Sequence, residues 1–566
     1  MRRLKISLFA FLCVGVAAEV ASGQTVNAVV NSASGLIQGL PNSGIAQGSI
    51  FLVVGSGLGP STLVTATSNF QSTSVGGTSV SIVVGSTTVN ALMYYSSATQ
   101  VAALLPSNTP TGSGSLTVTY NGTASASVPV SIVANNVGIF TVSQNGQGVA
   151  ILTYPDYSVV SAVPGTGSLG GGGPYTYGGA ANPGDTLTLW ATGLGPVSGS
   201  DAAGSGLGVN MPSIPVKLWL GGVAITPTYQ GRSGCCIGED QIVFAVPSGV
   251  PTGCAVPFAV QIGNQVSNYA AIPIANGSRS CTMQNPAYTN ASAQILTTRS
   301  GPINYGFFSL GRTIASSSSS GLTYEDFGNG TFEQVTVSPA NQPTVLSSLD
   351  IPPFGTCTTG NSNVSTQPLL NVVTGDDAGT IVVNGPFPDN PVTMKKTGGT
   401  GVATSYNSIF TPAGAYFSGG AYTIVAGGGA AIGPFTIPFT ITQTPTWPSS
   451  DQALLFANGN GVVRSNGLTI NWTGGSSAYW IEITGSGITS ATDTSSSGVA
   501  ATFACWVPST AGKFTVPAAI LLTLPGGINA ELDFKPTLPP FTFSATGLDE
   551  GLVLFQYQTT FFFPLN

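Results

Sequence analysis

The stretch "NPGDTLTLWATGLGP" at 182–196 repeats, in altered words, "AQGSIFLVVGSGLGP" at 46–60. Each copy has a small or polar residue and glycine, then alternating apolar positions: Ile50, Leu52 and Val54 in one, Leu187, Leu189 and Ala191 in the other. Alternation with period two is what a strand with one buried face requires. The closing Gly-Leu-Gly-Pro forces a turn. A second pair of words, "TQVAALLPSNTPTG" at 99–112 and "DQIVFAVPSGVPTG" at 240–253, extends the repeat. The offset grows from 136 residues to 141, so the second copy carries a small insertion, which we place at "GRSGCCIGE".

Each copy holds about seven short strands in roughly 100 residues, the count of an immunoglobulin-like sandwich. The reading is therefore all-β: two related immunoglobulin-like β-sandwiches in tandem at 24–135 and 181–281, followed by further β-domains. Between the copies, 136–180 is glycine-rich and reads as a linker or loop region. Its Gly165, Gly167 and Gly170 satisfy G-x-G-x-x-G, but no strand-then-helix context surrounds them. After Cys281 we expect an irregular β region at 282–370, a small sandwich at 371–441 and a C-terminal β-domain at 442–566. The final "YQTTFFFPLN" reads as a closing core strand.

Composition agrees. Of 566 residues only 6% are charged, and 76 glycines break the apolar content into short runs. Arg2, Arg3 and Lys5 precede an apolar run from Ile6 to Ala18, with Ala21 and Gly23 before Gln24. This predicts a signal peptide over 1–23 and a secreted or cell-surface location. No later stretch reaches the roughly 18 apolar residues of a membrane helix, so no membrane span is expected in the mature chain. Leu12 before Cys13 argues against a lipid anchor. Without the signal the formal charge is about −9, and clustered cations are lacking, which excludes nucleic acid as the partner class. Lys395-Lys396 reads as a solvated turn.

Six of the seven cysteines follow the signal, an even number in an oxidising compartment. Cys235 and Cys236 are expected to pair with Cys254 and Cys281 in an order the spacing leaves open, a vicinal Cys235–Cys236 bond being the alternative. Cys357 is expected to pair with Cys505. Closing that last loop contributes about 4–5 kcal/mol in the chain-entropy model. Zinc has little support, since histidine is absent and no Cys-x-x-Cys knuckles occur.

The words quoted above, with "VVNSASG" and "GIFT", resemble a family of secreted proteins of Acidobacteria, especially relatives of Solibacter, whose repeats are similar to IPT/TIG-type immunoglobulin-like domains. The resemblance covers 26–281, and the tail words "GLTINWTGG" and "FSATGLDEG" resemble a module that accompanies such repeats. It implies fold and export and carries over no catalytic residue.

Absence of histidine removes the commonest general base and the usual triad partner. None of the carboxylate doublets Glu239-Asp240, Glu325-Asp326 and Asp376-Asp377 is itself a glycosidase pair, because neighbours on a strand point to opposite faces, and each reads as a turn or surface feature. No cofactor is expected. For calcium, Asp376-Asp377 and "NGNG" at 458–461 offer oxygens without the spacing of a dedicated loop. Aromatics are the better hint. Trp190, Trp219, Trp472, Trp480 and Trp506, with Tyr479, offer stacking faces, of which Trp190, Trp472 and Trp506 read as core; Tyr175 and Tyr177 in the glycine-rich run are the exposed pair expected to stack on a ligand. The functional expectation is a non-enzymatic surface protein of adhesion, matrix or carbohydrate or protein binding, with an extracellular polysaccharide or protein as partner. The competing class is a polysaccharide hydrolase using carboxylates within 282–566.

Overall fold

The computed structural model describes residues 23–67, 72–168, 174–203, 208–288, 299, 301–317, 321–337, 347, 349–361, 370–387, 390–398, 403–411, 414, 416–454, 461–489 and 500–566. The predicted signal segment up to residue 22, Gly170 of the glycine motif and 458–460 of "NGNG" lie outside them.

Alternation in the first repeat builds two facing sheets. One has the strand order 25–31, 50–56, 100–104, 92–96, 64–65, and the other 45–46, 128–133, 112–120, 78–84, 87–90. Phe51, Val53, Val101 and Ala103 meet Val80, Ile82, Leu116 and Val118 between them. The second repeat reproduces this plan: 186–192, 240–245 and 229–232 stand where 50–56, 100–104 and 92–96 stood, and face a sheet built on 216–220 and 253–262. Leu187, Leu189, Ile242 and Phe244 pack there against Leu218, Val256 and Phe258. The chain opens with tandem immunoglobulin-like sandwiches.

The region 136–180 is not a linker. Its segments Leu152–Thr153, Val159–Val160, Pro174–Gly179 and Pro164–Ser168 pair one after another outward from Thr186–Thr192, and Gly138–Ile139 pairs with that strand too. Glycine lowers strand propensity, but this run satisfies its backbone groups by extending a sheet already nucleated by its neighbour.

The two sandwiches are not strung end to end. Their outward faces meet: Ile50, Leu92, Tyr94 and Leu104 of the first pack on Phe140, Ile151, Trp190 and Ile237 of the second. Ile50 N–H donates to Thr192 Oγ1 at 3.0 Å across this seam, and Thr192 donates to the Gly238 carbonyl at 2.6 Å.

Beyond residue 300 the expected boundaries fail. One 13-stranded sheet runs, in order, through 356–361, 500–508, 480–488, 527–542, 550–565, 303–317, 321–337, 404–410, 392–397, 381–384, 420–426 and 435–441, with 370–375 also on 321–337. The region read as irregular supplies the long hairpin Ile303–Ser317 and Gly321–Val337 at its centre. The parallel pairing of Ile303–Ser317 with Glu550–Leu565 joins segments some 245 residues apart in sequence, a contact no local pattern signals. Two cores lie along this sheet. The strands 527–542 and 550–565 run from one to the other, placing Leu532, Phe534, Phe561 and Phe563 in the first and Leu538, Val553 and Phe555 in the second.

Candidate functional site

The strands 356–361, 500–508, 480–488, 527–542 and 550–565 put alternate residues on opposite faces. Inward go Cys357, Phe503, Cys505, Ile481, Ile483, Leu532 and Phe534, which pack with Trp447 and Trp472. Outward, the register builds a grid. Thr484 lies between Ala504 and Asp533, Ser486 between Thr502 and Glu531, and Glu482 between Trp506 and Lys535. Thr358 and Gly360 flank it opposite Ala504 and Thr502, and Thr560 lies beside Asp533. The result is an open groove of about 610 Å³ walled by threonine, serine, glycine, alanine, Phe503 and the two carboxylates Glu531 and Asp533.

Its polar groups are held. Asp533 accepts from Thr560 Oγ1 at 2.6 Å and Thr484 Oγ1 at 3.0 Å, with Lys535 Nζ 3.4 Å away. Burial, and next the Asp533 charge, push the Glu531 carboxyl up. Burial likewise raises Glu482, which accepts from Gln556 Nε2 at 3.0 Å while Lys535 pulls it back. The aromatic end of the face carries Trp506, partly exposed, and Trp480, whose ring meets the exposed ring of Phe354 at 5.6 Å. Trp480 Nε1 is buried with no partner. Hydroxyls and carboxylates beside aromatic faces supply both halves of sugar recognition, hydrogen bonds to ring hydroxyls and stacking on apolar ring faces.

The residues singled out from sequence fall elsewhere or fit differently. Tyr177 is buried, so Tyr175 and Tyr177 do not form an exposed stacking pair: the sheet extension covers one of them. Trp190 fills the seam and donates to Thr153 Oγ1 at 3.1 Å; Trp472 is core and donates to the Ser509 carbonyl at 2.6 Å. Trp506, read as core, faces the groove side instead. Trp219 donates to Gln261 at 2.7 Å under Lys217, and buried Tyr479 donates to the Thr442 carbonyl at 3.2 Å.

Surface roles for the carboxylate doublets hold for Glu325 and for Asp377, which pairs with Lys396 at 2.6 Å and accepts from Tyr406 at 3.2 Å. They fail for the buried Glu239, Asp240, Asp326 and Asp376. Asp326 is buried because Arg312 grips it at 2.6 Å and the Gly414 and Tyr416 N–H groups cap it. Asp240 is buried against Arg232, whose Nη2 also donates to the Gly195 carbonyl at 2.5 Å. Asp376 is buried, whereas Asp377 is partly exposed and pairs with Lys396.

The cysteines pair as Cys235–Cys236, Cys254–Cys281 and Cys357–Cys505. The vicinal alternative holds because Cys254 and Cys281 already meet, their Cα atoms 5.2 Å apart. Cys357 and Cys505 are directly opposed across two strands, Cα atoms 4.0 Å apart, and tie the groove's edge strand to its neighbour. Cys235, Cys236 and Glu239 form a compact trio, yet with both sulfurs bonded it offers one carboxyl and no thiolate, and is not a metal centre in this state.

No family profile and no curated protein matches the chain. Among solved structures, domains 5–6 of the S-layer protein SbsC are 10% identical, covering 45% of this chain and 100% of that one at a TM-score of 0.17. Titin domains A168–A170 are 11% identical, covering 74% and 99%, at 0.12. Sidekick-1 immunoglobulin domains 1–4 are 11% identical, covering 95% and 99%, at 0.11. Likeness this distant carries no argument; the strand pairing above carries the fold.

Proposed function

We propose that the chain is an exported, surface-exposed, non-enzymatic binding protein whose C-terminal sheet face takes an extracellular polysaccharide. The observation that carries this reading is the open groove in which Thr484, Thr502, Ser486, Glu531 and Asp533 converge from three strands, with Trp506 next along the same face beyond Ala504. Disulfide pairing, the leader-like N-terminus and the resemblance to exported IPT/TIG-like repeat proteins support export. The acids support binding over hydrolysis. A glycosidase sets two carboxyls on opposite sides of the scissile bond, whereas Glu531 and Asp533 stand side by side on one strand and Asp533 is held by two threonines.

The test is a polysaccharide array with the purified mature protein, scoring retention and released reducing sugar together. We expect retention without release, lost in Asp533→Asn and Trp506→Ala and kept in Tyr175→Ala. Released sugar, or retention indifferent to both groove variants, overturns the reading.

A further inference from the structure

The three disulfides close loops of unequal size: 148 residues for Cys357–Cys505, 27 for Cys254–Cys281 and one for Cys235–Cys236. A cross-link stabilises by restricting the unfolded chain, and a bond between neighbours restricts almost nothing. The vicinal bond is therefore spare to the fold. It is also accessible: Cys235 is exposed and Cys236 half-buried. Within 4.8 Å of both sulfurs lies a carboxylate oxygen of Glu239, a side chain 4% exposed whose Oε2 has no partner. A buried carboxyl oxygen without a partner is costly and calls for an explanation.

The loop's far end is fixed independently of the sulfur bond. Ile237 packs into the seam, and its carbonyl accepts from the Tyr94 hydroxyl of the first sandwich. Gly238 has a positive φ and lies so close to Ile50 and Leu104 that a Cβ there would clash. Ser233 Oγ stands 3.0 Å from Cys235 Sγ and accepts from the Cys235 N–H at 3.2 Å.

We propose that Cys235–Cys236 is a redox-active disulfide that exchanges with an external dithiol, Cys235 taking the attack and Glu239 passing a proton to the sulfur of Cys236. The incoming thiolate bonds to Cys235 Sγ, the S–S bond breaks, and its electron pair leaves on Cys236 Sγ, which takes the proton of the Glu239 carboxyl. The dithiol's second thiolate attacks its own sulfur in the mixed disulfide and leaves as a disulfide, releasing Cys235 as a thiolate that is protonated from solvent. Glu239 recovers its proton from solvent. The protein gains two electrons and two protons, and the dithiol loses the same.

Burial, reinforced by the neighbouring Asp240, pushes the Glu239 carboxyl up to about 8, so it holds its proton at neutral pH. The other ionisable groups gathered here are Arg232 and Asp201 of the same sandwich and Tyr94 of the first.

The experiment treats the native full chain with limiting dithiothreitol, traps thiols with iodoacetamide and maps them by mass spectrometry. Alkylation is expected at Cys235 and Cys236 while Cys254–Cys281 and Cys357–Cys505 stay closed. The rate, corrected for the reagent's thiolate fraction, should fall as pH rises through about 8. In Glu239→Gln it should be pH-independent and on the order of 100-fold slower below that pH. If that variant does not fold, the native profile decides: a corrected rate flat across the range removes Glu239 from the reaction. First opening at another disulfide, or none without denaturant, overturns the assignment.

Discussion

In the strand Gln100–Leu104 of the first sandwich every side chain is buried, whereas along Ala500–Pro508 burial alternates from residue to residue. Both strands lie within a sheet and turn one face to a hydrophobic core. They differ in what stands on the second face. On the N-terminal pair of sandwiches it carries Ile50, Tyr94, Leu104 and Trp190, which bury one another. On the C-terminal sheet it carries Thr484, Thr502, Glu531 and Asp533, which line an open groove. A sheet's outward residues thus tell whether the face is packed or presented. The tandem copies serve as a doubled scaffold, and two copies back to back add thickness where a chain of beads would add reach.

The largest effect expected from breaking this contrast is on the presented face. Replacing Cys357 and Cys505 by serine frees a loop of 148 residues and should cost about 5 kcal/mol in the chain-entropy model. It also unties the edge strand carrying Thr358. Denaturant unfolding should show the loss; opening the vicinal pair, by contrast, should leave the midpoint nearly unchanged.

At the packed face, Arg232→Ala strands the Asp240 carboxylate inside the protein, where Arg232 and the Leu194 N–H at 2.8 Å now hold it. Removing one partner of a buried pair costs about 3–5 kcal/mol. Urea unfolding of the variant checks this, and a cost below about 1 kcal/mol would mean that water reaches the seam.

The same seam predicts a pH dependence. Glu239 titrates near 8 in the folded chain against an ordinary 4.5. Below 4.5 both states hold the proton and nothing changes. Between 4.5 and about 8 the unfolded chain releases a proton that the folded chain keeps, so stability falls as pH rises; above 8 it levels off. Unfolding free energies across this window should show that decline, and Glu239→Gln should flatten it.

How much of this is legible in the sequence follows from the same contrast. The alternation at 50–56 and 186–192 and the repeated turns predict two sandwiches, and both form. The seam is not legible, because Val101 to Leu104 of "QVAAL" are apolar on both faces and read equally as one side of a core. The glycine-rich 136–180 misleads since composition marks a loop, while its pairing is decided by the neighbouring strand Thr186–Thr192. The C-terminal boundaries fail for want of any local sign of the pairing between Ile303–Ser317 and Glu550–Leu565. The groove has no motif: its acids and hydroxyls come from strands brought together by register, and a signal that could have pointed to it is the period-two placement of Glu531, Asp533 and Lys535.

The smallest expected effect sharpens the account of that groove. Thr484→Val keeps the side chain's shape and removes the hydroxyl that donates to Asp533 at 3.0 Å. A hydrogen bond to a charged group is worth about 1.5–3 kcal/mol, and because the buried Asp533 keeps Thr560 at 2.6 Å and Lys535 at 3.4 Å, the fold should lose about 1.5 kcal/mol, the low end of that range. Polysaccharide retention should weaken more than that, because the freed carboxylate oxygen then points where a sugar hydroxyl would have been positioned by a fixed acceptor. Loss of stability with unchanged retention would place Asp533 among the supports of the sheet and leave the neighbouring Glu531, Ser486 and Thr502 as the contact surface.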